Sequence, residues 1–246
     1  MAKFVLTDQL IFAGSHDYTG DANAVAISHE AELKDCTTFD NSTRVNLGGL
    51  KVSQIEASGY YDAATQDATT FTDVGLSNTP VSVAVMSAVG SLGYFMNCTV
   101  GQYTVGESVG EINKFSLTAG SQGELVRGVV GYTSRDTATT VSGVGPSLQL
   151  GAVATADKLY AVLHVLGNSG TGDQTLDVVV ESDNNTGFTS GVNRLVFTQA
   201  TTANTGELLS LAGPVTDNFF RVNFTIAGTG SPTFNFIVMI GILRDV

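Results

Sequence analysis

Apolar and polar residues alternate with a period of two along much of this chain. From Lys51 to Tyr61, the residues Val52, Gln54, Glu56, Ser58 and Tyr60 fall on one face, and Ser53, Ile55, Ala57, Gly59 and Tyr61 on the other. Near the far end, Phe220, Val222, Phe224 and Ile226 alternate with Arg221, Asn223 and Thr225. Such alternation, bounded by glycines, predicts strands. Further strands are expected at Phe4–Phe12, Ala22–Ala31, Val81–Val89, Leu92–Val100, Ile112–Ala119 and Glu124–Tyr132. A second series follows at Lys158–Leu166, Gln174–Ser182, Asn193–Gln199, Glu207–Ala212, Phe219–Ala227 and Thr233–Leu243. The clusters at 14–21, 120–123, 167–173, 183–191 and 229–232 read as turns or loops by their Gly, Asn, Asp and Ser content. One helix is expected, over Tyr61–Gly75, with Ala63, Ala64, Asp67, Ala68, Phe71 and Val74 near one face. Thr69, Thr70 and Thr72 work against it, because β-branched residues lose rotamer freedom in a helix.

The stretch Ser134–Gly151 is low in apolar residues and reads as a linker or an extended arm. The expected organisation is therefore all-β. Two β-sandwich-like domains, residues 1–133 and 152–246, flank the segment 134–151, and the first carries a long arm loop and one short flanking helix. About six strands in the second segment is a common size for a sandwich. No short-period repeat is visible, so a solenoid or propeller is not expected.

Composition fits this picture. Gly is 28 of 246 residues, Trp is absent and Pro numbers only 4. Charged residues make up 14%, against about 25% in an average domain. Apolar residues at 43% argue against disorder. The net charge is −12, spread over both halves, with only 11 scattered basic residues. That argues against tight binding to nucleic acid or to an anionic membrane. No stretch approaches the roughly 20 apolar residues of a membrane helix, and no signal peptide is recognised, so folding in a cytoplasm is expected. Cys36 and Cys98 make no disulfide framework; two reduced thiols are the favoured reading, with a pairing left open.

Catalytic and metal-binding patterns are few. His16 lies in an expected loop, His29 near a strand end, and His164 within the apolar run K-L-Y-A-V-L-H-V-L, where a packed core or interface role is expected. The spacing of a zinc-binding H-E-x-x-H and a phosphate-binding G-x-x-x-x-G-K-[ST] are both absent. Gly106-Glu107-Ser108-Val109-Gly110 matches G-x-S-x-G, but that elbow requires a strand before it and a helix after it, whereas a strand is expected to follow. Asp183-Asn184-Asn185-Thr186-Gly187 holds oxygen ligands, yet lacks the closing Glu of a calcium loop and reads as a plain turn. No enzyme activity, cofactor or metal is expected.

The remaining stretch is Leu33–Asp62. It begins with a polar, turn-prone segment from Cys36 to Arg44, passes through Gly48-Gly49-Leu50 and enters the alternating strand. An ordered-looking arm of this length exceeds the usual connection of about 4–6 residues. An assembling subunit uses such an arm to reach a neighbour. The pattern T-T-F-D-N-S-T-R-V-N-L-G-G-L-K, followed by a strand ending in G-Y-Y-D, resembles the tail tube (major tail) proteins of long-tailed bacteriophages. The resemblance covers roughly the first 130–150 residues.

That resemblance implies a structural virion protein, assembled in the host cytoplasm and residing in the tail. Its subunits would form stacked rings, six-fold by analogy, in contact with other tail proteins and enclosing a channel for genomic DNA. The arm residues would be Thr37, Thr38, Phe39, Arg44, Gly48, Gly49 and Leu50, and the candidates for the channel lining are Glu56, Glu107, Glu111 and Glu124. Six copies at −12 each would carry about −72, a field that repels phosphate and lets DNA pass without being held. The alternative from another class is a capsid decoration protein or a receptor- or carbohydrate-binding module, for which Tyr60, Tyr61, Tyr94 and Tyr103 would supply the aromatic surface.

Overall fold

The structure is a computed structural model that describes residues 9–14, 16–64, 66–203 and 205–244. Residues 4–8 of the first expected strand lie outside the described residues. The chain forms β1 (Leu10–Ala13), β2 (His16–Asp17), β3 (Ala22–Asp35), β4 (Asn46–Tyr60), α1 (Gln66–Asp73), β5 (Thr79–Ala84), β6 (Leu92–Val105), β7 (Lys114–Ser121) and β8 (Val126–Thr133). It continues with β9 (Gly143–Val144), β10 (Leu148–Gln149), β11 (Lys158–Ser169), β12 (Thr175–Asp183), β13 (Val192–Val196), β14 (Thr205–Ala212), β15 (Phe219–Ala227) and β16 (Thr233–Leu243). The fold is all-β with antiparallel strand pairing, as the alternation predicted.

Two compact units emerge, and they are discontinuous in sequence. One comprises the described parts of Met1–Gly20, Thr79–Asn97 and Val126–Val246; the other comprises Asp21–Asn78 and Cys98–Leu125. This differs from the linear division at residues 134–151. The physical reason is strand pairing. Ile237–Gly241 of β16 pairs with Gly128–Thr133 of β8, which ties the end of the chain to its first half. The presumed linker is also structured, since β9 and β10 both pair with β15.

In the first unit the strands run β14-β11-β16-β8-β6-β5-β1-β2, and a smaller sheet runs β10-β15-β12-β13. Even-numbered residues of β16 (Phe234, Phe236, Val238, Ile240) meet Leu176, Val178, Val180, Phe220, Val222 and Phe224 of the smaller sheet in one core. The odd-numbered Ile237 and Met239 enter a second core with Leu10, Phe12, Ala84, Phe95 and Val162. All of these last residues belong to the same large sheet, which therefore curls onto itself. A strand buried on both faces needs a continuous apolar run, and T-F-N-F-I-V-M-I-G-I-L is one. Where the curl brings β14 onto the β1 end, a Cβ on Gly206 would lie 2.5 Å from the Gly14 carbonyl oxygen.

His164 is fully buried within this unit, as its apolar neighbours predicted. Its Nδ1 lies 2.5 Å from the Gly14 carbonyl oxygen and its Nε2 2.7 Å from Ser82 Oγ. A carbonyl only accepts, so Nδ1 carries the proton and Nε2 accepts from the Ser82 hydroxyl. Burial pushes the imidazole pKa down to about 4, against weaker opposition from the Gly14 bond.

In the second unit β3, β4, β7 and the Cys98–Val105 half of β6 pair in that order. Ser53, Ile55, Ala57 and Gly59 of β4 are buried on one face, beside Phe115, Leu117 and Ala119 of β7 and Cys98 and Val100 of β6. The helix α1 lies on this unit: Thr70 is fully buried, and Tyr103 Oη donates to Asp67 Oδ1 at 2.8 Å. It is shorter than expected, and the expected apolar face is not the packed one. Phe71 is 71% exposed, whereas Thr70 points inward. Asp62 opens the turn before it, accepting from Ala64 N at 2.8 Å.

Candidate assembly surface

The dominant feature of the second unit is a two-stranded ribbon. β4 pairs with β7 only over Gln54–Tyr60, so its residues Asn46–Ser53 pair with β3 alone. Eight such residues extend about 26 Å at roughly 3.3 Å each. The expected arm thus divides: Asn46–Leu50 are strand, β3 runs on to Asp35, and only 36–45 is loop. An extra residue on β4, across Gly48–Lys51, faces Ala31–Leu33 and makes a bulge. A Cβ on Gly49 would sit 3.2 Å from the Glu32 carbonyl oxygen.

The loop organises itself. Asp35 Oδ1 accepts from Thr37 N at 2.9 Å and from Thr37 Oγ1 at 2.6 Å, while Arg44 Nε donates to Asp35 Oδ2 at 2.9 Å. Thr37 Oγ1 in turn accepts from Val45 N at 2.9 Å. Asn41 Oδ1 accepts from both the backbone and the hydroxyl of Thr38 at 2.9 Å. The Thr37 bonds lead the effects that hold the Asp35 carboxyl below the usual carboxylate range. Within T-T-F-D-N-S-T-R, the side chains of Thr37, Thr38, Asn41 and Arg44 fasten the loop, and Phe39 is left fully exposed.

Phe39 is not isolated. Leu33, Leu47, Leu50 and Val52 on the ribbon are 61–80% exposed. Burying one such side chain stabilises by about 1.5–3 kcal/mol, and an isolated two-stranded hairpin is marginal in water. A cleft of about 510 Å³ lies at the ribbon's base, lined by Gly49, Leu50, Lys51, Ser53 and the β7–β8 turn. Toward the opposite end of β4, where Tyr60 pairs with Lys114, the β6–β7 loop exposes Val109 (108%) and Ile112 (68%). Of these apolar residues, sequence reading had singled out only Phe39 and Leu50. The signal for Val109 and Ile112 was apolar side chains amid a Gly/Glu/Ser loop.

The sheet face opposite the core is polar. Glu56 sits between Ala26 and Thr118, with Gln102 beyond; Ser58 sits beside Ser116, with Thr104 beyond. Of the four acidic candidates, Glu56 alone is on this face. Glu107 and Glu111 lie in the β6–β7 loop and Glu124 in the β7–β8 turn. Glu107 is held by Lys114 Nζ at 2.8 Å, which draws its pKa below the usual range.

Other motifs resolve into structure. Ser108 lies in an exposed loop between antiparallel β6 and β7, with Gly106 and Gly110 at positive φ, and the element that follows it is the strand β7 rather than a helix. His29 Nδ1 lies 2.7 Å from Ser53 Oγ across β3 and β4, a pair that sequence reading missed. Among the described residues His29 makes no other hydrogen bond. Asp183 accepts from Asn185 N and Ser190 N, which makes 183–190 a capped turn. Among the described residues no cluster of His, Cys, Asp and Glu is arranged to hold a metal, and no helix is long and apolar enough to cross a membrane. His16 belongs to the short strand β2 rather than to a loop. Cys36 is partly exposed and Cys98 is buried.

No family model and no curated protein matches the chain. Similar solved structures come from tails, tubes and hubs. A chain from the virion of a native gene transfer agent particle is 23% identical, with a TM-score of 0.40 over 48% of this chain and 93% of that one. A chain from the sheath/tube terminator of an extracellular contractile injection system is 8% identical, with a TM-score of 0.42 over 52% and 97%. The SPP1 Dit protein, from a hub adsorption apparatus in phages infecting Gram-positive bacteria, is 12% identical, with a TM-score of 0.39 over 97% and 100%.

Proposed function

We propose that this chain is a structural tail tube subunit of a bacteriophage-like particle, assembling with copies of itself into stacked rings that conduct DNA. The observation that carries the reading is the ribbon Asn46–Ser53 with its partner strand: ordered, self-fastened at the loop and lined with exposed leucines. The sequence resemblance supports it at the residues that build this ribbon, and it supplies the six-fold number. Adjacent copies join edge to edge through β3, whose outer edge has no strand partner among the described residues. Joining removes an edge that otherwise aggregates. The polar face carrying Glu56, Gln102 and Thr104 lines the channel, where a net charge of −12 per copy keeps phosphate from binding. Other tail proteins cap the stack, and the protein's role is structural rather than catalytic.

Negative-stain electron microscopy of the purified protein, concentrated at moderate salt, tests this. Hollow tubes or rings are expected. Uniform monomers at every concentration, with or without other tail components, overturn it.

A further inference from the structure

The first unit holds a cleft of about 380 Å³ whose walls include Leu92, Val129, Leu150 and Ile242. Two glycines, Gly128 and Gly241, face each other across the β8–β16 register and also line it. A Cβ on Gly128 would lie 2.3 Å from the Ile240 carbonyl oxygen, and one on Gly241 would lie 2.8 Å from a Val126 methyl. Neither position accepts a side chain, because each would run into the neighbouring strand. Two cations border it. Arg244 is engaged by Asp157 at 3.0 Å. Arg127 is exposed and makes no hydrogen bond or ion pair among the described residues.

The hairpin tip has the complementary character. Phe39 is fully exposed, and the exposed Asp40 beside it makes no hydrogen bond or ion pair among the described residues. An aromatic ring next to a free carboxylate meets a cleft walled in part by Leu92, Val129, Leu150 and Ile242, next to a free guanidinium. Arg127 is one of only 11 basic residues on a chain of net charge −12, so it is one of few partners the surface offers to an acidic group.

We infer that Phe39 of one copy seats in the Leu92/Ile242 cleft of another copy, with Asp40 paired to its Arg127. The contact rests on the tube reading and names its partner surfaces. In stacked rings each copy gives its Phe39 knob to one neighbour and receives another's, a heterologous contact that propagates; a reciprocal exchange would close a two-fold dimer instead.

The test uses the whole chain with Cys36→Ser, Asp40→Cys and Arg127→Cys together, assembled and then treated with a short bismaleimide whose spacer matches an aspartate–arginine pair, which a direct disulfide could not bridge. A ladder of dimers and larger species on a denaturing gel is expected, absent when either new cysteine is left out. In parallel, Asp40→Arg and Arg127→Asp each raise the concentration needed for assembly at least tenfold, and the double swap restores it. Both residues are exposed, so an unchanged thermal midpoint confirms folding. If wild-type tubes form, yet no ladder appears and the charge variants assemble normally, this contact is overturned and the tube reading stands. If the wild type never assembles, both fall.

Discussion

Gly59 and Asp21 approach so closely that a Cβ built on Gly59 would fall 1.9 Å from the Asp21 carbonyl oxygen. The contact sits at the start of β3, where the register slips between Ala22 and Ala24, and Tyr60 N donates to the same Asp21 oxygen at 2.9 Å. Gly59→Ala is expected to cost about 2–4 kcal/mol, because backbone and not a flexible side chain would have to move. Gly120→Ala, whose Cβ would meet nothing within 4 Å, is expected to stay within about 0.5 kcal/mol. Urea denaturation of the two variants checks the contrast.

His164 makes stability depend on pH. Its folded pKa, about 4, lies below its ordinary value of 6.5, so the unfolded chain binds the proton more readily. Its contribution is fully present above pH 6.5 and is lost as pH falls toward 4. The total is on the order of 3 kcal/mol, from about 1.4 kcal/mol per pH unit. Denaturation midpoints should fall over this window in the wild type. In His164→Gln the decline should be smaller, from a lower starting stability.

Leu50 is 80% exposed on the ribbon, beside the cleft at its base. Leu50→Asp is expected to leave the fold within about 0.5 kcal/mol of wild type. It should raise the concentration needed for assembly by about tenfold, which corresponds to roughly 1.4 kcal/mol lost per contact. Light scattering against concentration, with a thermal melt alongside, separates the two effects.

The two thiols should differ in reactivity. Cys98 is buried and its pKa is pushed up to about 12, whereas Cys36 is partly exposed in the hairpin loop. At pH 8 a thiol reagent should label one site rapidly, lost in Cys36→Ser, and reach the second only in denaturant. Prompt double labelling of the native protein would contradict this.

The strands were legible in the sequence because each sheet face sorts its side chains with period two. Phe219–Ala227 and Thr233–Leu243 have the bounds that alternation and apolar runs indicated. The turn-prone character of the loop at 36–45 was legible as well, since Asp35, Thr37, Thr38 and Asn41 fasten it through contacts of nine residues or fewer. Strand partnership was not legible. That β16 would pair with β8, and so draw residues 126–246 into one unit with the chain's beginning, depends on long-range register that local pattern does not encode. The helix shows the same limit: periodicity marked Phe71 as inward, and the packing of α1 on its own unit turned Thr70 inward instead. Only tertiary structure decided that eight residues of β4 would run past the sheet with one partner strand, because a strand's second neighbour is chosen by distant chain, not by its own alternation.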